Sequence, residues 1–168
     1  MTYSLLIKFA ETERELCSVA ALRYKVFREE FKADGKSFDH FKKLEWEPYD
    51  DNCKHILCIA SFPDKKEITI GTFRIKILNE TDNKYQIKSE FNIDKLLENN
   101  YNSCELGRIC VDFRFRNGVV LFKIWQFLFN YLREKNSKII FGVGSFKGCD
   151  LTSHINSLRV LFDKYVSP

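Results

Sequence analysis

Hydrophobic and polar positions along the 168-residue chain switch between two periods, and the switches mark out the elements. Tyr3 to Ala10 alternates weakly and reads as a first strand. Thr12, with Glu15 three positions on, makes a capping-box pair for a helix from about Glu13 to Glu29. Leu16, Val19, Ala20, Arg23, Val26 and Phe27 share its inner stripe at helical spacing. Phe31 to Leu44 has no clear period, carries Asp34-Gly35, and reads as a mobile loop with a short helix near Phe38 to Lys43. Trp46 to Ala60 runs from an acidic turn into a strand. Ile68 to Leu78 is the next strand, with Thr72, Arg74 and Lys76 on one face. After a turn comes a short strand at Tyr85 to Lys88. Cys104 to Val111 reads as a strand that ends in a basic turn. That turn opens an apolar helix from about Val119 to Arg133, striped by Leu121, Ile124, Trp125, Leu128, Phe129 and Leu132. Ile139 to Val143 is apolar throughout, as expected of a strand covered on both faces. Strand, helix and strand in this order form a right-handed crossover unit. A Gly-rich turn from Gly144 to Asp150 leads into a final helix ending at Tyr165.

The length suits one domain with its own core. Hydrophobic residues make up 45% and charged residues 30%, which excludes a disordered chain. There are 16 Phe, more than a small core needs. Filling the core is their default use, and lining an apolar channel is the alternative. A net charge of +4 is too small to argue for nucleic acid. It suits an acidic protein partner or an anionic membrane surface. The six Cys show no CxxC spacing and the three His are scattered, so no metal site is suggested. No run of about 18 apolar residues is present to span a membrane. No signal peptide is recognised, and free thiols without one point to a reducing cytoplasm.

The chemistry concentrates in a few places. A buried strand does not usually carry a Glu and an Arg three residues apart, as Glu105 and Arg108 are. If both face a cleft, they put a carboxylate and a guanidinium beside a turn rich in backbone donors. That arrangement is expected where an amine is deprotonated and a carbonyl attacked. An edge strand with a surface ion pair is the commoner reading of such a pair taken alone. Arg23 inside an apolar stripe reads either as a buried guanidinium that is paired or as a snorkelling edge residue. Glu47, Asp50 and Asp51 put negative charge at the mouth of a strand, where a cationic amine would be held; a solvated acidic turn is the alternative. His55 reads as hydrogen-bonded structure rather than as a base. Cys110 and Cys149 have no nearby base in sequence and read as small hydrophobes.

The segments LRYKVF, YDDNCKHIL, GTFRI, SEF, ELGRICV and GSFKG run in order between Arg23 and Asp150. Together they resemble the acyl-carrier-protein-dependent N-acyltransferases of the GNAT superfamily. The nearest group is the ornithine N-alpha acyltransferases; N-acyl amino acid synthases and acyl-homoserine lactone synthases are more distant. The resemblance implies a single domain over residues 1–168 of the α/β (α+β) class. Its central mixed, mostly antiparallel sheet would splay into a V between two parallel central strands, with helices on both faces. The implied reaction moves a (3-hydroxy)fatty acyl group from acyl carrier protein to the α-amine of an amino acid such as ornithine. Glu105 would take the amine proton, directly or through water. Arg108 would order the Glu105 carboxylate or the substrate carboxylate, and Asp50 with Glu47 would hold the amine. Arg23, Phe27, Arg74, Ser145 and Phe146 would complete the substrate pocket. Ile109, Cys110 and Val111 would offer strand-edge N–H groups to the phosphopantetheine arm of the donor. Arg114, Arg116, Asn117 and Gly118 would meet its phosphate at a helix N-terminus.

Coenzyme-A users of the superfamily usually show Arg/Gln-x-x-Gly-x-Gly/Ala at this turn. Here Arg116-Asn117-Gly118-Val119 carries one glycine, which suits a single phosphate. Acyl carrier protein is therefore expected as donor ahead of acyl-CoA, with Arg114, Arg116 and Lys123 facing its acidic surface. No permanently bound cofactor and no metal are implied. Glu47 and Asn92 stand where relatives often have Asp. The family also continues beyond the last helix with two closing strands, so that pair is expected to be short or missing here. The location implied is cytoplasmic, with contact at the inner membrane surface where a lipid product would go. Two other readings stay open. One is an acyl-homoserine lactone synthase, another N-acyl amino acid synthase, or a CoA-dependent GNAT enzyme. The other is an inactive module that binds acyl carrier protein or lipid.

Overall fold

The computed structural model describes residues 2–78, 85–97, 102–145, 150 and 152–165, without the side chains of Leu78, Leu96 and Leu97. In chain order it forms β1 (Ser4–Phe9), α1 (Glu13–Arg23), a π-helical stretch (Tyr24–Glu30), β2 (Phe38–Asp39) and β3 (Leu44–Glu45). A 3-10 turn (Pro48–Asn52), β4 (Lys54–Ser61), β5 (Glu67–Leu78), a second 3-10 turn (Gln86–Ser89) and α2 (Asp94–Leu97) follow. Then come β6 (Ser103–Val111), α3 (Val119–Glu134), β7 (Ile139–Gly142) and α4 (Ile155–Tyr165). The main sheet has the order β1-β4-β5-β6-β7; all neighbours are antiparallel except the parallel pair β6 and β7. This is the mixed, mostly antiparallel sheet that the resemblance implies.

Alternation along the strands sorts the two faces. Ile56, Cys58 and Ala60 of β4, Phe73 and Ile75 of β5, and Cys104 and Leu106 of β6 pack with Val120, Ile124, Leu128 and Leu132 of α3. This core contains the largest block of apolar side chains removed from water, the main favourable term in folding. The opposite face carries Arg74, His55 and Glu105, and there α1 meets the sheet. The Thr12 and Glu15 capping box starts α1 as expected.

Three local expectations change. The first helix stays α-helical only to Arg23 and then widens, with the Phe31 N–H donating to Val26 O at 3.0 Å. A widened turn of this kind is uncommon and often sits at functional sites. It brings Tyr24 into the buried set beside Val26, which strict helical spacing does not foresee. Phe38 to Lys43 is not a helix. The Asp39 side chain accepts the Lys42 N–H at 2.9 Å and makes a turn, so Phe38 and Asp39 pair with Glu45 and Leu44 as a hairpin. Tyr85 to Lys88 is not a strand, because the Gln86 and Ile87 N–H groups donate to the Glu105 side chain and not to a ladder. β7 is also less covered than an all-apolar run suggests, with Ile140 and Val143 exposed.

β6 carries the two irregularities that make the site. Its pairing with β7 runs from Ser103↔Ile139 to Leu106↔Gly142 and stops there, while β6 continues to Val111. β7 itself ends at Gly142, and among the described residues no strand covers that edge of Gly107 to Val111. A Cβ on Gly142 would lie 2.5 Å from Leu106 O, so only glycine lets β7 come this close. On the β5 side, Thr72 faces Cys110 but Arg74 faces Gly107. The extra residue makes a bulge, and Arg108 sits in it with φ 50°, a strained setting for a side chain with a Cβ. The bulge shifts the alternation by one. Glu105 and Arg108, three apart, therefore share one face of the sheet.

Candidate active site

Arg23 ends α1 and is wholly buried. A buried guanidinium needs acceptors on several sides. Its Nε donates to Glu45 of β3, and its Nη1 and Nη2 donate to the two oxygens of Asp50, both at 2.9 Å. Glu45 also accepts from Arg108 Nε at 3.0 Å, and Arg108 Nη2 donates to Glu47 Oε1 at 3.0 Å. Arg74 Nη1 donates to the same Glu47 oxygen and, at 3.1 Å, to Asp50 Oδ1. Arg23, Glu45, Arg108, Glu47, Arg74 and Asp50 thus close a ring in which cations and carboxylates alternate. The bulge delivers Arg108 to it. Gly107, where a Cβ would lie 3.0 Å from Arg74 Nη2, lets Arg74 cross β6. Glu47 enters as the N-cap of the turn Pro48–Asn52, with its N–H bonded to Asp50 at 2.8 Å.

Burial differs around the ring. Arg23, Glu45, Asp50 and Arg74 are at most 4% exposed, whereas the side chains of Arg108 and Glu47 are 29% and 18% exposed. A ligand from solvent therefore meets the Arg108 and Glu47 edge. Burial alone would raise the Asp50 carboxyl, but the hydrogen bonds and charge of Arg23, with the charge of Arg74, hold it below the usual carboxylate range. Burial opposes the Arg74 charge too, and Glu47 and Asp50 overcome it and raise the Arg74 pKa. His55 is pushed down by burial. Its Nε2 donates to Asp50 O at 3.2 Å, and its buried Nδ1 has no partner among the described residues. His55 is therefore a neutral structural imidazole packed at a tilt against Trp46, with ring centroids 4.7 Å apart.

Two expected roles change. Asp50 was to hold the amine, but its oxygens are filled by Arg23, Arg74 and the Glu47 N–H, so it holds guanidiniums in place. Arg108 was to order the Glu105 carboxylate or the substrate carboxylate; it is engaged by Glu45 and Glu47 and not by Glu105, so the first of these changes. Glu105 is 7% exposed and has other donors. Its Oε2 accepts from Tyr49 Oη at 2.8 Å and from the Gln86 N–H at 3.0 Å, and its Oε1 accepts from the Ile87 N–H at 3.2 Å. Burial and the neighbouring carboxylate push the Tyr49 hydroxyl well above its ordinary range, so it stays a donor. Asp51 lies off the ring and accepts from Trp46 Nε1 at 2.8 Å.

Beyond the bulge, Ile109, Cys110, Val111, Arg116 and Gly118 line one cavity of about 390 Å3. Its other wall comes from Val26 and Phe31 at the π-helical end of α1 and from Leu121 of α3. These five are the donor-side residues that the structure brings together. Arg114 and Asn117 lie outside the lining. Arg114 grips Asp112 at 3.0 and 2.8 Å, and Asn117 Oδ1 accepts the Val119 N–H at 3.1 Å at the start of α3. Arg116 is also engaged: it pairs with Glu30 and donates from Nε to Val111 O at 2.8 Å. Both arginines are thus already paired with a carboxylate, Arg114 with Asp112 and Arg116 with Glu30. Phe27 packs with Leu22, Val26 and Cys110, beside the cavity and not in the ring. Burial pushes the Cys110 thiol up to about 12, which suits a small hydrophobe. Ser145 is exposed just past β7 and is not a ring partner. Phe146 and Cys149 lie outside the described residues.

Glu45, Tyr49 and Gln86 are the site residues that sequence reasoning does not single out. For Glu45 the signal is indirect: a buried Arg23 needs more acceptors than Asp50 provides. Tyr49 and Gln86 carry no signal of their own, because their contacts come from turns that pattern does not define.

A family model described as an acetyltransferase (GNAT) domain matches residues 22–126. The L-ornithine N(alpha)-acyltransferase of Rhodobacter capsulatus is 26% identical over 166 residues, covering 96% of this chain and 64% of that protein. The protein of the same name from Brucella abortus is 27% identical over 166 residues, covering 94% of this chain and 58% of its own length. The chain thus spans about three fifths of the length of these curated relatives. Among solved structures, the AHL synthase LasI superposes with a TM-score of 0.59 at 16% identity, over 95% of this chain and 78% of that one. FeeM, an N-acyl amino acid synthase from uncultured soil microbes, gives 0.57 at 12% identity, over 83% and 71%. At these identities the likeness speaks for the fold.

Proposed function

The chain belongs to the acetyltransferase (GNAT) domain family, and from that premise we propose that it is an N-acyltransferase acting on the α-amine of an amino acid. One observation carries the reading. Arg108, at the exposed edge of the charged ring, and Ile109, in the wall of the apolar cavity, are consecutive residues of β6. An acceptor held by the ring and a thioester held in the cavity would therefore meet at the bulge, which is the proximity a bimolecular transfer needs.

In this reading the α-carboxylate of the acceptor pairs with Arg108 and its ammonium with Glu47. Glu105 receives one amine proton through water. The amine nitrogen attacks the thioester carbonyl, a C–N bond forms, and the C–S bond then breaks. The thiolate leaves with the proton that the nitrogen gives up. Backbone N–H groups on the open edge of Ile109 to Val111 meet the oxyanion. A thioester is already activated, so the sequence of steps calls on no covalent enzyme intermediate. The names of the curated relatives favour ornithine as acceptor. The single glycine before α3, and the capture of the Val119 N–H by Asn117, favour a donor with one phosphate, as on an acyl carrier protein, over the pyrophosphate of coenzyme A. The family resemblance adds to this reading a (3-hydroxy)fatty acyl group and a lyso-ornithine-lipid type of product.

Steady-state kinetics test the acceptor edge. Arg108→Met and Glu47→Gln should each raise the amino-acid KM about tenfold or more and leave the acyl-donor KM unchanged. Unchanged amino-acid KM in both variants would remove the ring from acceptor binding.

A further inference from the structure

We infer that Gln86 is a positioning residue that ties the acceptor edge of the ring to Glu105, so that amino-acid binding and orientation of the proton acceptor are one event. The inference rests on the acyltransferase reading for its chemistry, but its geometry stands apart from it. The Gln86 side chain accepts from Arg74 Nη2 and donates from Nε2 to Glu47 Oε1 at 3.0 Å. These two bonds fix which end of the amide faces which partner, since Arg74 can only donate and Glu47 only accept. From the same residue the backbone N–H reaches Glu105 Oε2 at 3.0 Å, and the next N–H reaches Glu105 Oε1 at 3.2 Å. Gln86 is half-buried and its turn has no side-chain cap at the preceding Tyr85. The turn is therefore fastened to the ring on one side and to Glu105 on the other.

The consequence concerns Glu47. Its Oε1 already accepts from Arg74, Arg108 and Gln86. A substrate ammonium that pairs with this oxygen of Glu47 competes with these donors. Gln86 is the donor whose backbone continues into the Glu105 contacts, so a change at Glu47 is passed to the carboxylate that takes the proton.

Amide hydrogen exchange in a double-mutant cycle tests this without requiring turnover. Glu47→Gln should speed exchange of the Gln86 and Ile87 amides about tenfold in the otherwise native chain. In the Gln86→Leu background the same change should speed the Ile87 amide by less than about twofold. Equal effects in both backgrounds would overturn the inference. Gln86→Glu is the second variant; it keeps the size but sets a carboxylate against Glu47. With ornithine and an acyl-carrier-protein thioester it should raise the amino-acid KM about tenfold and leave the donor KM alone. A fall in kcat alone, with both KM values native, would also overturn it. Coupling in the exchange cycle with no acyl transfer by the native chain would sink the acyltransferase reading and leave the tie between Glu47 and Glu105 established.

Discussion

Removing the Arg23 guanidinium would take from buried Glu45 and Asp50 the cation they share, leaving Glu45 only Arg108 and Asp50 only Arg74. Breaking a buried pair from one side costs about 3–5 kcal/mol, so Arg23→Leu should lose that much in urea unfolding. Arg23→Lys should recover little, because an ammonium cannot fork to Asp50 and reach Glu45 as well. A loss below about 1 kcal/mol, the range of exposed pairs, would mean the ring is not a closed buried unit. His55 gives a pH dependence. Its folded pKa lies below its ordinary value, so as pH falls past about 6.5 the unfolded chain takes up a proton first. Stability is then fully present above that pH and declines below it. Asp50 adds a second decline in the same direction below about pH 4. Urea midpoints between pH 7.5 and 5.5 should fall with acid, and His55→Phe should flatten that slope; an unchanged slope would contradict a neutral buried imidazole. At this scale the sequence was partly legible. Arg23 stood out because an arginine in an apolar stripe demands a partner. Asp50 was placed at the right spot and given the wrong task, since spacing cannot tell a free carboxylate from one already bound to two arginines.

Strand β6 explains why a pattern can name site residues and still miss their arrangement. Period-two alternation puts Glu105 and Arg108 on opposite faces, and only the bulge in β6, opposite the step from Thr72 to Arg74 of β5, reconciles them. The sequence carries no mark for that bulge beyond Gly107. The open edge beyond Leu106 was legible only through the family resemblance. Gly142→Ala tests the close approach of β7 to β6. The added Cβ meets backbone, which cannot rotate away, so β7 must shift and the chain should lose about 1–3 kcal/mol. Hydrogen exchange should place the loss in the β6 and β7 pairing; full stability would show that β7 has room to spare. Leu121→Trp tests the cavity. It should fill space at the wall opposite Ile109 and raise the acyl-donor KM, while the amino-acid KM and the unfolding midpoint stay native. A donor KM that does not move would put the acyl arm elsewhere.

The whole molecule sets a charged ring and an apolar cavity side by side, joined at consecutive residues of one strand. The parallel pair was legible from the strand-helix-strand order and the α3 core from its apolar stripe, while the mixed, mostly antiparallel sheet was legible through the family resemblance. The hairpin at Phe38 to Glu45 was not, because its short strands are fixed by Asp39 turn chemistry and by Glu45 reaching Arg23, which are tertiary facts. No described helix is long and apolar enough to cross a membrane. In the proposed function, ring and cavity together transfer an acyl group to an amino acid. Mass spectrometry of the native chain, incubated with 3-hydroxyacyl carrier protein and ornithine, lysine, glycine, glutamine or S-adenosylmethionine, tests it most directly. An N-acyl product is expected with ornithine, absent when the carrier protein is unacylated. A folded chain that binds the acylated carrier protein but yields no product with any of these amines would contradict it.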